Sequence, residues 1–139
     1  ASVYTLSEKA SDKEAAALAR QANKADIIAG MDFSDEPPEV ANILIDLAQR
    51  ETMNMSARYA QSLVAELSGQ VRLLNRPHRF AGFAVLKAPD VPSVLFELGF
   101  MSNGSDETLL HSAQHRRVVA EAIRRSVDRY FRDIRSASR

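Results

Sequence analysis

The stretch VPSVLFELGF (residues 91–100) is almost wholly apolar, yet it contains one carboxylate, that of Glu97. Alternation along a strand places Glu97 and Gly99 on the same face. A strand that is apolar on both faces is normally central in a parallel or mixed sheet covered by helices. The stretch therefore predicts an α/β fold in which it is a central strand of a parallel or mixed sheet.

Burying Glu97 in such a strand costs free energy, because an ionised carboxylate loses its hydration. That loss must be offset by a paired charge or by hydrogen bonds. Ligands of open α/β sheets bind beyond the carboxyl ends of the strands, and a carboxylate there keeps access to water. Gly99 would leave space beside it. The alternative is a structural ion pair, for example with Lys87 on the neighbouring strand. The residues alone leave both interpretations open.

Two elements are predicted near the N-terminus. SVYTL (2–6) is β-branched and aromatic, as strands are. SDKE (11–14) has the pattern of a capping box, with Ser11 as the N-cap and Glu14 three residues later. A helix is therefore predicted from there to about Asn23, followed by a polar loop.

The rest of the chain continues the alternation. Pro37 and Pro38 end the polar loop, and an apolar period then predicts helix from Glu39 to near Gly69. GFAVLKA (82–88) predicts a second strand. Between them, NRPHR is predicted to be a surface loop. The last element is a long C-terminal helix whose apolar face is defined by Val119, Ala122, Ile123, Ser126, Val127, Tyr130 and Ile134.

Composition limits the possible classes. The chain has 139 residues, 45% of them apolar and 26% charged, which is ordinary for one soluble globular domain. Eighteen basic residues balance eighteen acidic ones, so the chain has no excess positive charge that would indicate binding to nucleic acid. No apolar stretch approaches the roughly 18 residues of a membrane span. With no cysteine, the fold needs no disulfide.

The block GFAVLKAPDVPSVLFELGFMSNGSDETLL (82–110) resembles the C-terminal motif block of the zinc-dependent N-acetylmuramoyl-L-alanine amidases, which cut bacterial peptidoglycan. ASVYTLS, ANKAD and ANILIDLAQRET are also similar to that family. The resemblance implies a mixed, largely parallel sheet flanked by helices, with strands near 2–6, 82–88 and 93–98 adjacent or nearly so. It also implies that Glu97 is the catalytic glutamate, the general acid/base that cleaves the bond between N-acetylmuramic acid and L-alanine.

Zinc is the cofactor that the resemblance implies. Family members bind one zinc ion through two histidines and a glutamate in the N-terminal half, and those motifs are absent from this sequence. The resemblance therefore implies that residues 1–139 are the C-terminal part of one catalytic domain. The metal ligands are expected upstream of Ala1, and none is assigned within this chain.

His111 and His115 are spaced i, i+4, which could place both on one helical face, as in a zinc helix. However, Ser112 stands where the HExxH pattern needs glutamate, and Arg116 and Arg117 would repel a cation. A solvated helix start is favoured. Among the other cations, Arg79 and Lys87 are candidate substrate-binding residues for the anionic groups of the glycan or peptide. His78, beside Arg79, is expected to be solvated.

A regulatory role is implied for about residues 10–52. In the division-associated branch of the family, an inserted helical region covers the zinc site until a LytM-type activator displaces it. Relatives often carry an acidic residue immediately before the asparagine of this segment, and here that position is Ala22. Glu36 or Glu39 could serve instead as the inhibitory carboxylate. Packing of the same helix on the sheet would equally explain its periodicity.

Two classes of function remain. The first is a periplasmic enzyme that hydrolyses peptidoglycan during wall remodelling and daughter-cell separation, exported by a signal peptide that is not in this sequence. The second is a non-catalytic wall-binding or interaction module on the same scaffold, in which Glu97 is a relic or forms a structural ion pair.

Overall fold

The computed structural model describes the backbone of residues 1–28 and 39–137 and, among these, the side chains of residues 1–24 and 46–137. Three strands lie in one mixed sheet with the order β2-β1-β3. The α/β class is therefore confirmed. The elements in chain order are β1 (Ser2–Leu6), α1 (Lys13–Ile28), α2 (Glu39–Leu67), β2 (His78–Ala81), a 3₁₀ helix (Ala84–Leu86), β3 (Leu95–Glu97), α3 (Gly104–His111) and α4 (Ala113–Ala137).

The first strand has the predicted bounds, but the second does not. The segment predicted as a strand at 82–88 forms the 3₁₀ helix, and HRFA (78–81) forms β2 instead. Phe83 and Leu86, three residues apart, are buried together in the core, while Val85 between them is 49% exposed. An i, i+3 burial pattern is typical of a helical turn rather than a strand. The packing of Phe83 and Leu86 in the core therefore determines the conformation of this segment.

The third strand is shorter and less central than predicted. β3 has three residues of intermediate burial, and β1 rather than β3 lies in the middle of the sheet. The prediction of a buried central strand for 93–98 is therefore wrong for the described residues. The adjacency of the 2–6 and 93–98 regions is confirmed.

The helices α1 and α2 lie where the sequence pattern predicts helix, but the ends of α1 differ from the prediction. α1 begins at Lys13, so the N-cap is Asp12 rather than Ser11; its Oδ1 accepts a hydrogen bond of 2.8 Å from the amide of Ala15. The helix also runs to Ile28, beyond the predicted end. α2 is one continuous helix in the described structure. Gly69 follows it with φ of 77°, the left-handed conformation typical of helix C-termini.

The chain divides into two compact units, each with its own buried residues: residues 1–3, 58–78 and 96–139 form one, and residues 4–57 and 79–95 form the other. In the second unit, Tyr4 and Phe83 meet edge to face with ring centroids 5.3 Å apart, within the apolar core. In the first, the apolar face of α4 is confirmed: Val119, Ala122 and Ser126 are buried. There, Tyr59 and Tyr130 stack edge to face. Across the described residues, no helix combines the length and apolar character that a membrane span requires.

Candidate functional site

The carboxylate of Glu97 lies at the carboxyl end of β3 and is half-buried. Its Oε2 accepts a hydrogen bond of 2.9 Å from the hydroxyl of Ser2, on the neighbouring strand β1. Ser2 itself is fully buried. The carboxylate of Glu97 thus lies at the edge of the sheet, and a buried hydroxyl donates a hydrogen bond to one of its oxygens.

Glu97 lines a cavity of about 300 Å³. Pockets of roughly this size can accommodate a small molecule or one segment of a larger substrate. The charged or titratable side chains on its wall are those of Arg72, Glu97, Asp106 and His115, and the rest of the wall combines polar Asn103 and Ser105 with apolar residues. The exposed apolar side chains on the wall are those of Leu74, Leu98, Phe100 and Leu109.

The loop that follows Glu97 is fixed by the first turn of α3. Oδ2 of Asp106 accepts a hydrogen bond of 3.0 Å from the amide of Phe100. Asn103 caps the helix by accepting from the amides of Ser105 and Asp106. A Cβ atom on Gly99 would lie 3.0 Å from three atoms of the Asp106 side chain. Asp106 therefore occupies the position that a side chain on Gly99 would take, whereas the expected space beside Glu97 is present as the cavity that Gly99 also lines.

The two histidines of the i, i+4 pair do not share a helix. α3 ends at His111, and Ser112 is extended with ψ of 118° before α4 begins. His115 lines the cavity, whereas His111 does not line it. Among the residues whose side chains are described, no three histidine, cysteine, aspartate or glutamate residues gather as a metal site would need.

Arg79 is a buried residue of β2, so its predicted place in a surface loop is wrong. Its Nη2 lies 2.6 Å from Oδ1 of Asp12 and 3.0 Å from Oε2 of Glu14. Burial acts to lower the pKa of Arg79, but the hydrogen bonds to Glu14 and Asp12 outweigh it and raise that pKa above its usual range. The guanidinium thus holds α1 to the sheet. Its predicted role in binding substrate stays a prediction.

His78 is the first residue of β2 rather than part of a loop. Burial lowers the pKa of its imidazole, which favours the neutral form. Lys87 is exposed and follows the 3₁₀ helix rather than ending a strand. Its suggested pairing with Glu97 is untested, and so is its role in binding substrate.

The proposed regulatory residues are only partly described. Ala22 lies on α1, is partly buried and packs against the apolar core. Asn23, next to it, accepts from the amide of Ala84 and donates to the carbonyl of Gly82, so it anchors α1 to the segment after β2. Glu36 lies outside the described residues, as does the side chain of Glu39.

Sequence reasoning singled out Glu97 as a candidate but did not single out Ser2 or Asp106. The partner of Glu97 is 95 positions away along the chain, and no local pattern connects the two. Asp106 had a local signal, because GSDE after an asparagine is typical of a helix start with acidic first-turn residues. That signal predicts the helix, but it does not predict the contact with Gly99.

The sequence of this chain is similar to those of known amidases. The family described as N-acetylmuramoyl-L-alanine amidase matches residues 2–129. The chain is 36% identical over 132 residues to N-acetylmuramoyl-L-alanine amidase AmiA of Escherichia coli, with 94% of this chain and 46% of AmiA covered. With AmiC of Neisseria meningitidis serogroup B it shares 37% identity over 134 residues, covering 93% of this chain and 31% of AmiC.

A third relative matches half of the chain. The probable cell wall amidase LytH of Staphylococcus epidermidis is 39% identical over 72 residues, which cover 52% of this chain and 25% of LytH. The chain thus spans less than half the length of each of these relatives. The family match covers most of the sequence, and the chain belongs to the N-acetylmuramoyl-L-alanine amidase family.

Proposed function

We propose that this chain forms part of the catalytic domain of an enzyme that hydrolyses the amide bond between N-acetylmuramic acid and L-alanine in peptidoglycan, with Glu97 as the general acid/base. One observation carries the proposal: Glu97 is a half-buried carboxylate at a strand end, on the wall of a cavity of about 300 Å³. Family membership supplies the substrate class.

The chemistry suits a carboxylate in this position. Amide hydrolysis needs a water molecule that is deprotonated as it attacks the carbonyl carbon, and an amine that is protonated as it leaves. Glu97 takes the proton from the attacking water and passes it to the leaving nitrogen of L-alanine, so one group acts as base and then as acid. The cavity supplies the space in which the scissile bond can lie beside the carboxylate.

Zinc is part of the proposal, but not through the described residues of this chain. They contain no group of three or more side chains that could hold the ion. They therefore do not fit a complete zinc site, and no step is derived through the metal. We propose that its ligands lie in the part of the longer relatives that this chain does not span. When bound, zinc supplies charge stabilisation at the carbonyl oxygen and an acidified water.

The proposal extends to location and control. Action on peptidoglycan during cell division requires export to the periplasm. Residues of about 10–52 would form an insert that a LytM-type activator displaces. Ala22 cannot coordinate a metal, so self-inhibition would depend on another acid such as Glu36 or Glu39, or be lost. The partly buried position of Ala22 supports a packing role for that residue.

The test is Glu97→Gln in the full-length protein. The substitution keeps the shape of the side chain but removes its ability to exchange protons, so release of dye from labelled sacculi should fall by about 10²- to 10⁴-fold. The midpoint of unfolding and the zinc content should stay near those of the unsubstituted protein. Glu121→Gln is the matched control, because it makes the same change on the exposed face of α4 and should leave the rate unchanged.

A rate near that of the unsubstituted protein in Glu97→Gln would refute the assignment of Glu97. An unsubstituted protein that binds sacculi but releases no dye, even with zinc and an activator present, would favour the non-catalytic wall-binding module instead.

A further inference from the structure

The hydroxyl of Ser2 is buried in the middle strand of the sheet, among residues that are otherwise mostly core. A buried hydroxyl costs free energy unless it is hydrogen-bonded, and alanine at the same position would avoid that cost. Here the hydroxyl donates to Oε2 of Glu97 at 2.9 Å. The buried donor is therefore directed at the side chain proposed to carry the chemistry.

The bond restrains a torsion that is otherwise soft. The terminal torsion of a glutamate is broad, so its carboxylate rotates readily unless a partner holds one oxygen. A general base must lie within about 2.6–3.2 Å of the proton it takes, which makes this orientation matter for rate. The bond to Ser2 fixes Oε2, and with it the plane in which the carboxylate of Glu97 lies.

We propose that Ser2 is a positioning residue for Glu97; this inference rests on the proposed hydrolysis. The water proton moves to the carboxylate of Glu97 and from there to the leaving nitrogen, while the Ser2 hydroxyl keeps its own proton throughout. Oε2 accepts from Ser2 when Glu97 is ionised and, more weakly, when the carboxyl group is protonated on its other oxygen. Ser2 thus acts on the rate through Glu97 and does not touch the substrate.

The experiment compares Ser2→Ala with the unsubstituted full-length protein on labelled sacculi. Loss of a hydrogen bond to a charged group should lower kcat by about ten- to a hundredfold, with KM little changed. In the Glu97→Gln background the same substitution should change the rate by less than about twofold, because its effect passes through the carboxylate. A merely structural role would give the same loss in both backgrounds.

Two further variants separate donation from packing. Ser126→Ala is the matched control, since Ser126 is also fully buried and its hydroxyl donates to the carbonyl of Ile123 at 2.7 Å. It should leave kcat unchanged. Ser2→Cys fills the same space with a weaker donor and should lose nearly as much activity as Ser2→Ala. Unfolding midpoints of all variants show that each one folds.

The outcomes separate the positioning role of Ser2 from the proposed catalytic role of Glu97. If Glu97→Gln is inactive while Ser2→Ala or Ser2→Cys keeps the full kcat, the positioning role is overturned and the proposed function stands. An equal loss from Ser126→Ala would also overturn it. Full activity of Glu97→Gln would remove the proposed function and the role of Ser2 together.

Discussion

Arg79 and Glu97 are both charged residues on strands, but their surroundings differ. The Arg79 side chain is 11% exposed, and its guanidinium donates to two carboxylates, those of Asp12 and Glu14. Glu97 is held by a neutral hydroxyl and lines an open cavity. Opposite charges at Arg79 stabilise the fold, whereas the Ser2 hydroxyl orients the carboxylate of Glu97. The role of a charged residue on a strand can therefore be inferred from the groups that contact it and from whether it faces a cavity.

The largest effect expected on the structural side of this comparison is that of Arg79→Met. Methionine keeps the apolar stem but removes the hydrogen bonds to Asp12 and Glu14 and that to the hydroxyl of Tyr4. The free energy of unfolding should fall by about 3 kcal/mol, the lower end for breaking a buried pair from one side, because Glu14 is mostly in water. Urea denaturation measures this loss.

The activity of the same variant decides whether the two regions are truly distinct. At a temperature where Arg79→Met is fully folded, kcat and KM on labelled sacculi should match those of the unsubstituted protein. Arg50→Met is the control for removing an arginine from an exposed position. A raised KM in Arg79→Met alone would show that Arg79 binds substrate after all and would break the comparison.

The sequence predicted those elements whose pattern is long or chemically distinctive. The apolar face of α4 and the period of α2 extend over many turns, so one misplaced residue does not hide them. β1 is short but rich in β-branched and aromatic residues. GFAVLKA failed because a short apolar run fits a strand or a buried turn equally well, and only the burial of Phe83 and Leu86 chooses between them.

The site shows the same limit. Glu97 could be singled out as a candidate because a carboxylate in an apolar run is locally unusual and because the surrounding motif resembles a known family. Ser2 could not, since a serine at the start of a strand has no distinctive local pattern and its role depends on a pairing 95 positions away. The N-cap of α1 was predicted one residue too early for a related reason. Ser11 and Asp12 are both suitable N-cap residues, and the contact that favours Asp12 is its hydrogen bond with Arg79, which is distant along the chain.

A smaller loss of unfolding free energy is expected for Gly99→Ala, which tests how the loop after Glu97 is held in place. The new methyl would lie 3.0 Å from atoms of Asp106, so Asp106 must shift and weaken its hydrogen bond to the amide of Phe100. Overpacking of this kind costs about 1–2 kcal/mol. Gly104→Ala is the control, because nothing lies within 4 Å of its added Cβ. Equal unfolding free energies in the two variants would show that the Gly99–Asp106 contact does not restrain the loop.

The smallest effect is a pH dependence at Asp12, on the Arg79 side. The amide of Ala15 and the guanidinium of Arg79 donate to this carboxylate, and they lower its pKa below the usual value. A lowered folded-state pKa adds stability that is present above the unfolded value of about 3.9 and is lost as pH falls through the folded value.

Asp12→Asn keeps a capping side chain but carries no charge, so it should unfold at a lower temperature than the unsubstituted protein at pH 7. Because a protonated Asp12 is also neutral, the difference in unfolding midpoint should close as pH falls below about 4. Asp128→Asn, an exposed residue of α4, should show no such pH-dependent gap. A gap that persists unchanged at low pH would mean that the charge of Asp12 contributes nothing to holding α1 against Arg79.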